Sequence, residues 1–212
     1  ELPPGRKPVQ TICIGQSRLG AMHKFIREEI AAGRQVFIVY PLIFESEKTD
    51  LQNLQNGYEE VMRAFPLPDY KVAIVHGQQN AEEKSFNMDA FAAGRADILV
   101  STTVIEVGVD VPNASVMVIM SAQRFGLSQL HQLRGRVGRG QAKSYFVMVT
   151  DSTQESSLER LRVIKKYTDG YEIAEMDLRP GNKAAHHLFL IRRTHLSVYK
   201  CHRQLRQLLC QR

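Results

Sequence analysis

Apolar residues along this chain fall into two alternating kinds of run. Val9–Ile14, Gln35–Pro41, Tyr70–Val75, Asp97–Ser101, Ser115–Met120 and Ser144–Val149 are short and rich in β-branched residues, as strands are. Val36-Phe37-Ile38-Val39-Tyr40 is an unbroken apolar run, which predicts a strand covered on both faces. Between these runs the apolar positions recur at helical spacing. Arg18–Ala32 does so through Leu19, Met22, Phe25, Ile26 and Ile30, and helices are also expected near Leu51–Phe65 and from Asn80 to Ala93. Asn80 has the chemistry of an N-cap, and Gly33, Gly94 and the Pro66/Pro68 pair close the three helices. Two more helices, Asp151–Thr168 and Tyr171–Leu178, follow the last strand, with Asp169-Gly170 as the stop between them. Alternation of strand and helix with short connections predicts the α/β class: a doubly wound, mostly parallel sheet with a C-terminal helical appendage. Such sheets bind ligands at the carboxyl ends of their strands, so the candidate functional residues are expected on the loops that open there, after Tyr40, Val75, Val100 and Met120.

Composition narrows the class without naming a function. A chain of 212 residues with 43% hydrophobic and 24% charged content can build one α/β domain and an appendage. No apolar run approaches the roughly 18–20 residues needed to cross a bilayer, so no membrane partner is expected. The opening Glu-Leu-Pro-Pro-Gly-Arg-Lys-Pro lacks the apolar core of a signal peptide and reads as an interdomain linker, 1–8, of something longer. The expected division is then 9–150 for the sheet domain, 151–178 for the start of a helical hairpin and 179–212 for a basic tail. Cys13, Cys201 and Cys210 form no paired or zinc-like spacing, which makes a reducing compartment the default. The net charge of +6 arises in the tail: from Arg179 onward stand eight of the 28 Lys/Arg and none of the 22 Asp/Glu, leaving the rest at −2. Overall charge therefore says little about nucleic acid.

The chemistry concentrates in Gln129–Gly140, Gln-Leu-His-Gln-Leu-Arg-Gly-Arg-Val-Gly-Arg-Gly. If the stretch begins as a helix, Gln132, Arg136 and Arg139 fall at i, i+4 and i+7 on one stripe, with Leu127, Leu130, Leu133 and Val137 opposite to anchor it. Gly135, Gly138 and Gly140 would leave the backbone open to a bulky anion, and two guanidiniums there suit bidentate recognition of phosphate. Arg134 points off this stripe, toward nucleic acid or a neighbouring acid.

Other candidates are less specific. Thr102 and Thr103 follow a buried strand and either donate to phosphate oxygens or cap the next segment. Asp110, after Gly108-Val109, either accepts from a ribose hydroxyl or stabilises a turn. His76-Gly77 closes a strand, and Arg124 either faces a nucleotide or pairs with a carboxylate. There is no Gly-x-x-x-x-Gly-Lys-[Ser/Thr] loop, no Asp-Glu pair after a strand for Mg2+ and no Ser/His/Asp or Cys/His set. The chain by itself is not expected to hydrolyse ATP, and no metal ligands are assigned.

Gln-Leu-Arg-Gly-Arg-Val-Gly-Arg resembles the last nucleotide-contacting motif of superfamily-two helicases. With Ala-Gln-Arg-Phe-Gly-Leu-Ser-Gln-Leu-His before it, the chain resembles the RecG family of ATP-dependent branched-DNA helicases, from about Pro3 to Leu178 and most closely over Ile98–Val118 and Arg124–Gly140. The resemblance implies the second RecA-like motor lobe. Arg136 and Arg139 would be arginine fingers on ATP, Gln132, Gly108 and Asp110 its other contacts, and His76, Gly77, Thr102, Thr103 and Arg134 DNA contacts. ATP and Mg2+ would be held mainly by a first lobe of the same full-length protein, which would act as a monomer with a DNA-wedge domain on branched or double-stranded DNA in the bacterial cytoplasm. Recombination and repair are the processes implied. Ser128 and His131 favour this family over the related transcription-repair translocases, and a non-catalytic nucleic-acid-binding domain is the third alternative. Two departures stand out. Gln78-Gln79 replaces the basic residue usual after His-Gly, and the sequence beyond the hairpin keeps only Arg179-Pro180-Gly181 of the family's pattern.

Overall fold

The computed structural model describes residues 8–41, 47–102, 111–140 and 142–177. Six strands are present: β1 Val9–Gly15, β2 Gln35–Tyr40, β3 Val72–Val75, β4 Ile98–Thr102, β5 Ala114–Ile119 and β6 Ser144–Thr150. They form one sheet in the order β1-β6-β5-β2-β4-β3, with every pairing parallel. Six α-helices cover it: α1 Leu19–Ala31, α2 Glu47–Ala64, α3 Ala81–Ala92, α4 Leu127–Arg134, α5 Glu155–Lys166 and α6 Gly170–Asp177. The expected α/β doubly wound architecture is what the chain adopts, and among the described residues every strand pairing is parallel.

Strand periodicity explains the two cores. Within β2, Val36 and Ile38 face one side and Phe37 and Val39 the other; β5 splits the same way between Val116/Val118 and Met117/Ile119, and β6 between Val147/Val149 and Phe146/Met148. On the first face Met22 and Ile26 of α1 and Leu54, Val61 and Phe65 of α2 complete the core. On the second, Met88 and Phe91 of α3, Leu127 and Leu130 of α4, Leu161 and Ile164 of α5 and Ile173 of α6 do so. Right-handed crossovers require this division, because β1→β2→β3 advances across the sheet and the later strands return between them. Each fully buried aliphatic or aromatic side chain stabilises the fold by about 1.5–3 kcal/mol.

Several boundaries differ from those read in the sequence. Helix α2 starts at Glu47, four residues before Leu51, and α5 starts at Glu155 because the polar stretch 151–154 forms the rim after β6. Gly170 does not stop a helix but opens α6, where a Cβ would lie 2.9 Å from the His131 Nε2. Asn80 caps α3 as expected, its side chain accepting from the Glu83 N–H at 2.7 Å.

Candidate functional site

The segment from α4 into β6 departs most from expectation. Helix α4 ends at Arg134, so Gln132, Arg136 and Arg139 do not share a helical stripe. Three glycines within six residues make continuation costly. The Gly135 N–H closes on the His131 carbonyl and the Arg136 N–H on Leu133, and Gly138 then takes a left-handed φ of 79°. Arg136 and Arg139 therefore stand on a loop. Leu127, Leu130 and Val137 are buried and Leu133 is partly buried, so the anchoring side of the prediction holds.

Nor do the glycines simply open space for an anion. A Cβ on Gly138 would lie 2.9 Å from the Val9 Cγ2, and one on Gly140 only 2.5 Å from the Pro112 carbonyl oxygen. These two glycines let the loop lie against the starts of β1 and β5. Arg136 is half-buried, while Gln132 and Arg139 are exposed; among the described residues Arg136 forms no ion pair.

This location corrects a second expectation. Val9 and Ser144 begin β1 and β6, and Pro112 precedes β5, so the arginine loop lies at the amino rim of the sheet. His76, Gly77, Thr102 and Arg124 lie at the carboxyl rim, where β3, β4 and β5 end. One strand length, roughly 20 Å, separates the two sets. The candidate residues do not gather on one rim, because a parallel β5-α4-β6 crossover must carry its returning end back to where the next strand starts.

Arg134 is a third correction. Its side chain is buried, 6% exposed, and its guanidinium donates to the carbonyls of Ile164 at 2.6 Å, Tyr167 at 2.9 Å and Thr168 at 3.4 Å, with the His131 Nδ1 at 3.0 Å. These carbonyls end α5 and lead into α6, where a cation also answers the helix dipole. The group expected to reach DNA instead ties α4 to the helical hairpin. Burial, then the Arg134 charge, pushes His131 below the usual imidazole range, which keeps its Nδ1 lone pair available to that guanidinium.

The carboxyl rim is assembled from turns. The Gln79 carboxamide accepts from the His76 N–H at 3.0 Å and donates to the Ile74 carbonyl at 3.2 Å, which gives one of the two unexpected glutamines a structural task. The missing cation is supplied from further along: Lys84, in the first turn of α3, donates to the Gly77 carbonyl at 2.8 Å. Sequence reading missed Lys84 because six residues, a helix N-cap among them, lie between it and Gly77. The nearest signal was its position one turn beyond Asn80. A Cβ at Gly77 would meet nothing within 4 Å, so packing does not demand glycine there, and its backbone is open to a ligand. Burial lowers the His76 pKa and nearby Lys84 lowers it further, which favours the neutral imidazole; its Nδ1 is buried without a partner among the described residues. Thr102 is 4% exposed, and its hydroxyl and that of Ser101 have no hydrogen-bond partner among the described residues. Thr103, Gly108 and Asp110 lie outside the described residues. Among those described, no cluster of three or more His, Cys, Asp or Glu side chains could hold a metal ion. No described helix is long and apolar enough to cross a membrane.

A parallel sheet with helices on both faces is the fold of a helicase C-terminal lobe. The chain belongs to the helicase conserved C-terminal domain family, whose model matches residues 19–141. Within that family its relatives are RecG proteins. It is 50% identical over 179 residues to the ATP-dependent DNA helicase RecG of Thermotoga maritima, a match covering 84% of this chain and 23% of that protein. To the ATP-dependent DNA helicase RecG of Bacillus subtilis it is 45% identical over 185 residues, covering 86% of this chain and 27% of the relative. The chain thus spans about a quarter of the length of these relatives. A solved structure of RecG bound to a three-way DNA junction is similar at a TM-score of 0.73 and 47% identity, covering 86% of this chain and 24% of that one. A DEAD-box helicase domain 2 bound to an RNA duplex shares the fold at a TM-score of 0.58 and 17% identity, over 81% of this chain and 68% of that one.

Proposed function

We propose that this chain is the second motor lobe of an ATP-dependent DNA helicase that remodels branched DNA, such as stalled forks and Holliday junctions, in recombination and repair. The observation that carries the proposal is the separation of two anion-receptive sets, arginines at the amino rim and His76, Gly77, Lys84 and Thr102 at the carboxyl rim. Two ligands that must be coupled but never compete are well served by opposite ends of one rigid sheet. ATP, when held by the first lobe, supplies the phosphoanhydride bond. Arg136 and Arg139 donate to its phosphate oxygens across the cleft, with Gln132, Gly108 and Asp110 on the same nucleotide face. The exposure of Gln132 and Arg139 and the lack of an ion pair at the half-buried Arg136 among the described residues fit that role. Arginines so placed supply about 10³–10⁵ in rate, roughly 4–7 kcal/mol of barrier. They reach phosphate only when the cleft is shut, and Arg134 passes the motion of their loop to α5 and α6.

Mg2+ belongs to the first lobe in this reading, and no residue of this chain is assigned to it. The full-length protein is a monomer of the bacterial cytoplasm whose other parts are the first lobe and a DNA-wedge domain. Nucleotide binding tests the proposal. The chain mixed with a separately expressed RecG first lobe is expected to bind an ATP analogue more tightly than that lobe alone, and Arg139→Ala to abolish the gain. An equal affinity with and without this chain would defeat the motor reading and favour a non-catalytic nucleic-acid-binding domain.

A further inference from the structure

We propose that Arg124 is a second, rigidly mounted phosphate contact of the nucleic-acid track, at the β5 end of the carboxyl rim. The inference rests on the carboxyl rim being that track and adds a residue to it. Arg124 ends the 3₁₀ turn Ala122–Arg124 that follows β5; its side chain is exposed and, among the described residues, forms no ion pair.

The turn beneath it is built from four sides. Ser121 enters it with a left-handed φ of 46°, a conformation unfavourable for a residue with a Cβ. Gln123 accepts from the Thr150 hydroxyl at 2.8 Å and donates to the Asp151 carboxylate, locking the turn to the end of β6. Phe125 is buried at 1% exposure, and Arg160 of α5 donates to its carbonyl at 2.9 Å. Strain and three anchors thus go into a turn whose outward product is one guanidinium.

Lys84 marks the other end of the track. Three strand intervals, β5-β2-β4-β3, separate the two positions, about 14 Å at the usual strand spacing. Two cations at that separation can meet two phosphates of one duplex, a spacing comparable to its major-groove width of about 12 Å.

The test is the salt dependence of duplex binding by the 212-residue chain, followed by fluorescence anisotropy. Each phosphate contact contributes about 0.9 to the slope of log K against log salt. Arg124→Gln and Lys84→Gln should each flatten the slope by about that amount. Arg124→Lys should keep the slope and weaken binding several-fold, since it keeps the charge and loses the fork. Arg95→Gln, an exposed cation beyond α3 at the amino rim, should change nothing. A normal slope for Arg124→Gln beside a flattened one for Lys84→Gln would overturn the Arg124 assignment and leave the track standing. No duplex binding at low salt, or slopes insensitive to both substitutions, would overturn the track itself.

Discussion

At the amino rim the cations stand on a loop fixed by close packing: Gly138 and Gly140 press against Val9 and Pro112, and the Val137 side chain is buried in the core. At the carboxyl rim the fixing is different. There Gln79, Asn80, Lys84 and Gln123 close turns with their side chains, and the exposed groups are presented by polar networks. A loop packed backbone-to-sheet moves only with the whole domain, as a group delivered across a closing cleft must. Turns locked by side-chain hydrogen bonds keep their exposed groups in place as a polymer slides past. The difference matches the two tasks proposed, one contact made and broken per cycle against many weak contacts renewed at each step.

The largest effect that sharpens this contrast is in turnover. Arg139→Ala in the full two-lobed enzyme should lower ATP hydrolysis by about 10³–10⁵-fold while duplex affinity stays within a few-fold, measured by coupled phosphate release and anisotropy. A matched loss of both would mean that the rims do not divide the work.

Next comes the tie behind the loop. Arg134→Met should cost about 2–4 kcal/mol of unfolding free energy, because it leaves the carbonyls of Ile164 and Tyr167 unanswered at the end of α5. Its duplex salt slope should be unchanged. A flattened slope with full stability, by denaturant titration, would restore Arg134 as a DNA contact.

A smaller effect follows from the histidines. Burial foremost, with nearby cations, holds His23, His76 and His131 below their ordinary value of 6.5, so the unfolded chain takes up protons more readily than the folded one. Their contribution to stability is complete above about pH 6.5 and is lost as pH falls below it toward the depressed folded values. His131→Gln should reduce this acid sensitivity, since protonating His131 places a second cation 3.0 Å from Arg134. An unchanged melting profile between neutral and mildly acidic pH would contradict it. Smallest of all, Ser121→Asn, better suited to the left-handed region, should raise stability by about 0.5–1 kcal/mol in thermal melts.

Much of this was legible in the chain. The described strands were legible as short β-branched runs, most plainly the central β2, β4 and β5 whose two faces are both buried, and the Asn80 cap of α3 and the helix spacing of α1 needed no tertiary help. What could not be read depends on residues distant in sequence. Arg134 finds its acceptors 30 to 34 positions later, and Lys84 reaches Gly77 around a helix cap. The arginine stripe failed for a local reason: periodicity was extended through glycines that end the helix. The rim assignment failed because Arg136 and Arg139 were grouped with loops that follow strands, although they lie between α4 and β6 and so return to the rim where β6 starts.

The central claim is that nucleic acid and nucleotide meet opposite rims, and a backbone NMR titration of this chain with a short DNA duplex tests it most directly. The account predicts that the amides of Gly77, Thr102 and Arg124 shift while those of Gly138 and Gly140 do not. Shifts gathered on Arg136–Gly140, with the carboxyl rim silent, would contradict it.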